Sequence, residues 1–236
     1  MDPHPHWRGR RLDAVLLDLD GTLLDTADDI AAVLNRALAD RQLGPLSTDS
    51  VRRLIGRGAP SLVGRALQLL GSSAQEVDVE AMLGRFCWHY EQLYAGNGGS
   101  AVPFPGVPEG LRALHAAGLK LAVVTNKQRR FALHLLERLD LARWFDAVVG
   151  GDTSGQRKPN ARPLHYACEA LQVGAGQALM VGDSATDVLA ARAADMPVVC
   201  VPYGYNEGMS ASTLACDALI PSLDALPAML GVGRAT

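Results

Sequence analysis

Two aspartates stand two residues apart in the run Asp18-Leu19-Asp20-Gly21-Thr22-Leu23, directly behind the apolar stretch Ala14-Val15-Leu16-Leu17. Carboxylates this close repel unless a cation or a shared proton relieves them. A divalent metal is the economical remedy, and a set of oxygen ligands suits Mg²⁺. Gly21 permits a sharp exit, and its amide and that of Thr22 are free to face an anion. Further on, Thr125 offers a hydroxyl at the end of another apolar run, followed by the Asn126 amide at the start of a helical pattern, where anions bind well. Lys158 precedes Pro159 in a loop. Of 22 lysines and arginines only Lys120, Lys127 and Lys158 are lysines, so a lysine at 158 points to a need for a compact charge. Asp183 and Asp187 supply a third carboxylate for a metal and a fourth behind it, although Ser184 and Asp187 are also placed to cap the following helix.

These residues need strands to present them. A continuous apolar run closed by a glycine reads as a buried parallel strand, and ligands gather where such strands end. Strands are expected at Ala14–Leu17, Leu119–Val124, Phe145–Val149, Leu179–Val181 and Val198–Val201. Helical patterns lie between them, from Pro108 to Ala117, around Phe131, Leu135 and Leu139, from Pro163 to Leu171 and from Thr186 to Ala194. The alternation implies an α/β fold, a doubly wound parallel sheet with right-handed crossovers. Between Thr26 and Ala101 there is no strand signal. Ile30, Val33, Leu34, Ala37 and Leu38 follow helical spacing, with Asp25 or Thr26 placed to cap and the N-cap reading preferred for Asp25 over a catalytic one, and Met82, Phe86, Tyr90 and Leu93 repeat it. Residues 1–25 and 102–236 are therefore expected to form a Rossmann-like catalytic core, and 26–101 an inserted all-helical cap domain. Gly96-Asn97-Gly98-Gly99-Ser100 reads as a flexible linker between them.

A net charge of −3 over 236 residues gives no nucleic-acid footprint. No run is long and apolar enough to span a membrane, and the first 13 residues lack the apolar region of a signal peptide. His4 and His6 belong to a tail more than to a metal site. Cys87, Cys168, Cys200 and Cys216 are scattered and form no CxxC pair, the pattern of reduced thiols in a cytoplasmic protein.

As a set, Asp18/Asp20, Thr125, Lys158 and Gly182-Asp183-Ser184-x-x-Asp187 resemble the four motifs of the haloacid dehalogenase-like phosphohydrolases, in order and over nearly the whole chain. One departure is Ala161, where relatives often carry a proline. The resemblance implies that Asp18 attacks phosphorus to form an aspartyl phosphate, and that Asp20 protonates the leaving group and then activates water. It implies Mg²⁺ held by the carboxylates of Asp18 and Asp183 and the backbone carbonyl of Asp20, with Asp187 orienting the shell. Lys158, Thr125 and the Asn126 amide would neutralise the phosphoryl oxygens. Asp20 argues for phosphoryl transfer over attack on carbon. The insert contains no lysine, which removes the Schiff-base chemistry of phosphonate-cleaving relatives. Ile55-Gly56-Arg57-Gly58-Ala59 and the residues after it look like the cap of phosphoglycolate phosphatases, where Arg57 could pair with a substrate carboxylate.

The expected activity is Mg²⁺-dependent hydrolysis of a small phosphorylated metabolite, 2-phosphoglycolate first, by a monomer or homodimer without nucleic-acid or membrane partners. Other phosphatases or mutases of the superfamily, acting on sugar phosphates or pyrophosphate, are the alternatives in the same class. A catalytically silent binding or regulatory relative is the alternative in another.

Overall fold

A computed structural model describes residues 5–71, 77–96 and 98–232. His4 and Asn97, named above, lie outside them. The strands are β1 (His6–Trp7), β2 (Arg10–Arg11), β3 (Ala14–Leu17), β4 (Leu24–Asp25), β5 (Val102–Pro103), β6 (Lys120–Val124), β7 (Ala147–Val149), β8 (Ala178–Gly182), β9 (Val198–Cys200) and β10 (Ala218–Leu219). Six of them form one sheet in the order β10-β9-β8-β3-β6-β7, with every pairing parallel.

Alternation along β3 divides the core. Val15 and Leu17 join one apolar cluster and Ala14 and Leu16 the other, each built on one face of the sheet. Helices α5 (Val107–Ala116) and α6 (Arg129–Arg138) bury residues in the first cluster. Helices α7 (Arg162–Leu171) and α8 (Ala185–Ala193) bury theirs in the second. With both faces covered, the strands can be apolar on both sides, which is why β3 and β8 are buried throughout.

Between β4 and β5 the described residues are helical: α1 (Ala27–Ala39), α2 (Thr48–Arg52), α3 (Ala59–Leu70) and α4 (Val79–Ala95). Two local expectations change here. Asp25 is not the N-cap of α1. It belongs to β4, paired with Val102 of β5, and accepts from the Tyr205 hydroxyl at 2.8 Å, while Thr26 takes the cap position. The glycine-rich segment is also not a free linker. The buried Asp29 accepts from the Ser100 amide at 2.5 Å and the Ala101 amide at 3.2 Å, and Arg138 donates to the Gly99 carbonyl at 3.0 Å. A buried carboxylate needs such donors, and it fixes the chain that supplies them. The short β10 and the β1–β2 and β4–β5 pairs had too little apolar pattern to be foreseen.

Candidate active site

Register brings the chemistry to one edge. Leu17 lies opposite both Val123 of β6 and Val181 of β8, so Asp18, Thr125 and Asp183 all follow the carboxyl ends of adjacent parallel strands. Continued pairing holds the ends in line, with the Asp18 amide on the Val181 carbonyl and the Thr125 amide on that of Val149, both at 2.9 Å.

Lys158 is the hub. Its buried ammonium lies 2.9 Å from Asp18 Oδ1 and 2.6 Å from Asp187 Oδ1. Asp187 spends its other oxygen on the Ser184 hydroxyl at 2.7 Å and the Ser184 amide at 3.1 Å, so it caps α8 and steadies Lys158 together. Asp183 accepts from the Thr22 hydroxyl at 2.8 Å and the Tyr205 amide at 2.7 Å. A side chain at Gly21 or Gly204 would strike the Asp183 carboxylate, and the φ of +88° at Gly21 also demands glycine. The Thr22 side chain and Tyr205 were missed in the sequence, because their partner is distant in the chain. The Gly21 and Thr22 amides, expected to face an anion, donate instead to the Leu24 and Leu19 carbonyls at 2.9 and 3.3 Å.

Carboxylate oxygens of Asp18, Asp183 and Asp187 all lie within 4.8 Å of one another. Three buried carboxylates face one ammonium, which leaves two negative charges uncompensated. Burial, with Asp187 and Asp183 adding to it against the opposing Lys158, pushes Asp18 up to about 8. Burial and Asp187 push Asp183 up to about 7. Protons here stand in for missing positive charge. A divalent cation matches the deficit, and the all-oxygen donors fit a hard ion of the Mg²⁺ type.

Asp20 stands apart from this cluster. Its carboxylate accepts from the Thr26 hydroxyl at 2.6 Å and from Lys127 Nζ at 2.9 and 3.1 Å. It lines a cavity of about 50 Å³ together with Asp18, Thr125, Asn126, Lys127 and mostly apolar side chains of the insert. The Asn126 side chain donates to the carbonyls of Lys158 at 2.9 Å and Gly56 at 3.0 Å, and accepts from the Lys158 amide at 2.9 Å. It therefore links the lysine loop to the insert. Its own amide precedes α6 by more than expected, since Gln128 is the cap of that helix.

Arg57 is not on the cavity wall. Its guanidinium points to Glu207 at 2.6 Å with the side chain 58% exposed, and Arg65 meets the same carboxylate at 2.7 Å. Sequence reasoning passed over Lys127, although its rarity was the signal used for Lys158.

The model of the haloacid dehalogenase-like hydrolases matches residues 15–201. The chain belongs to that family. It is 46% identical over 221 residues to a plasmid-borne phosphoglycolate phosphatase of Cupriavidus necator, covering 94% of each chain. It is 44% identical to the phosphoglycolate phosphatase of Nitrosospira multiformis, covering 90% of this chain and 92% of that one. Among solved structures, one from Haemophilus somnus, described as a predicted phosphoglycolate phosphatase, superposes with a TM-score of 0.85 at 30% identity and covers 92% and 97% of the two chains. The α/β core is that of this hydrolase family.

Proposed function

We propose that the protein is a Mg²⁺-dependent phosphoric monoester hydrolase acting on 2-phosphoglycolate. The observation that carries the reaction class is the separation of the two aspartates into different surroundings. Asp18 sits beside Lys158 and the acidic cluster, where a phosphoryl group would be held. Asp20 opens on the apolar cavity, where a leaving group would lie.

In this scheme Asp18 attacks phosphorus and the bond to the leaving oxygen breaks, giving an aspartyl phosphate and splitting one hard displacement into two easier ones. Asp20 gives a proton to the departing alkoxide and later takes one from the attacking water. Lys158, the Thr125 hydroxyl and the Asn126 amide meet the phosphoryl oxygens, where transition-state charge spreads. Asp187 holds Lys158 in place. The carboxylates of Asp18 and Asp183 and the carbonyl of Asp20 would hold the metal, with Asp187 behind them. When bound, Mg²⁺ would neutralise the phosphoryl charge and offset the repulsion between the nucleophile and its target.

The substrate follows from the relatives and from the small cavity. Residues 26–101 act in this reading as a cap whose walls limit the leaving group to a few atoms. Among the described residues no helix is long and apolar enough to cross a membrane. The four free cysteines support a cytoplasmic site of action. Phosphate release should be measured over 2-phosphoglycolate, sugar phosphates and pyrophosphate, with Mg²⁺ and with EDTA. The highest kcat/KM should fall on 2-phosphoglycolate, and only with metal. Preference for a sugar phosphate would overturn the substrate, and full activity in EDTA would overturn the metal.

A further inference from the structure

With Arg57 held by Glu207, the carboxylate of glycolate lacks an evident partner, and the cavity wall supplies another cation. The Lys127 side chain is 7% exposed and directs two contacts to the Asp20 oxygens. An ammonium has three donors, and among the described residues no third oxygen receives one from it. Its Nζ lies 5.0 Å from the centroid of the Tyr90 ring. Tyr90 lines the same cavity and is buried, and its hydroxyl makes no well-formed hydrogen bond, its polar neighbour being the Tyr94 hydroxyl, which is equally without one. Two buried hydroxyls with only each other leave one donor without an acceptor, and a ligand oxygen would satisfy it. Ile30, Ile55, Leu62, Phe86 and Phe131 offer a carboxylate nothing, and Gln128, on the same wall, turns its amide to Cys87 Sγ at 3.5 Å.

Position separates the two buried lysines. Lys158 sits on Asp18, at the phosphorus end, and Lys127 on Asp20, at the leaving-group end. Asp20 also keeps the Thr26 hydroxyl at 2.6 Å, so it is not stranded if Lys127 turns toward a ligand. We propose that Lys127, with Tyr90 on the same wall, receives the carboxylate of the leaving group and so selects a short phosphorylated acid over a neutral alcohol phosphate. This rests on the 2-phosphoglycolate reading and adds to it a specificity pair within the cavity.

The test compares 2-phosphoglycolate with 2-hydroxyethyl phosphate, which is equally long but neutral at that end. The readout is the ratio of their kcat/KM values, which a general loss of activity or folded protein leaves unmoved. In Lys127→Met the ratio should fall roughly 10- to 150-fold, the span of a hydrogen bond to a charged group. Lys127→Arg should recover part of it. In Tyr90→Phe, which keeps the ring and serves if Lys127→Met does not fold, the fall should be about 2- to 10-fold. A wild-type preference for the acid that survives unchanged in Lys127→Met, or in Tyr90→Phe where Lys127→Met does not fold, overturns the inference alone. A wild type that shows no preference overturns the substrate reading and this inference with it.

Discussion

Asp18 and Asp20 are separated by one residue and belong to different electrostatic worlds. Asp18 faces Lys158 and two further carboxylates, whereas Asp20 is shared between Thr26 and Lys127. Their substitutions should therefore differ in kind. Asp18→Asn should abolish turnover and any trapping of phosphate on the protein, read by acid quench after incubation with labelled substrate. Asp20→Asn should lose roughly 10²- to 10⁴-fold on an alkyl phosphate, the usual worth of a positioned acid. It should retain far more on p-nitrophenyl phosphate, whose leaving group needs little protonation. Equal losses on both would show that Asp20 is not the acid. The placement of Asp18, Thr125 and Asp183 at strand ends was legible in the sequence because each follows an unbroken apolar run. The companions were not. Thr22, Tyr205 and Lys127 matter through contacts made across the fold, and a residue type alone does not reveal its partner.

At the level of elements, the strands of the sheet interior were readable because burial on both faces leaves an unbroken apolar run. Edge pieces such as β10, two residues long, have no room for a pattern. Loop backbone was harder still. The close approach of Gly204 to the Asp183 side chain is a property of how the loop after β9 folds back over the strand ends, and no spacing announces it. It also yields a prediction. In Gly204→Ala the new methyl has no space beside Asp183, so either the loop or the carboxylate must move. The apparent Mg²⁺ affinity, measured by titrating activity with the metal, should weaken by roughly 10- to 100-fold, as when a metal ligand loses its support. The thermal midpoint in EDTA should fall less than the metal response does. An unchanged Mg²⁺ titration would mean that Asp183 does not depend on this contact.

For the whole molecule, the acidic cluster couples metal, protons and stability. Without metal the folded chain holds Asp18 up at about 8 and Asp183 at about 7, against an ordinary value of 3.8. Between about pH 4 and pH 8 the folded state then binds more protons than the unfolded one. These two groups consequently destabilise the metal-free fold as the pH rises through that window, and by less at its acid end. Mg²⁺ bound as proposed would supply the missing charge without a proton. The gap between melting temperatures in Mg²⁺ and in EDTA should therefore widen from pH 5 to pH 8. A gap that stays level would show that the cluster is not where the metal binds.

The helical insert meets the core partly through Glu207, which both Arg57 and Arg65 grasp. All three side chains are at least a quarter exposed, so each pair is worth about 0.2–1 kcal/mol and is screened by salt. Salt would loosen such a clasp and, with it, the hold of the insert on the core. If product escape governs turnover, kcat should climb with potassium chloride between about 10 mM and 300 mM, where the Debye length shrinks from about 30 Å to under 10 Å. Glu207→Gln should start high and respond little. A flat wild-type profile would place the slow step elsewhere. Where the clasp does govern escape, the ionic strength around the protein would set how fast it releases glycolate while the bond-breaking step keeps its own pace.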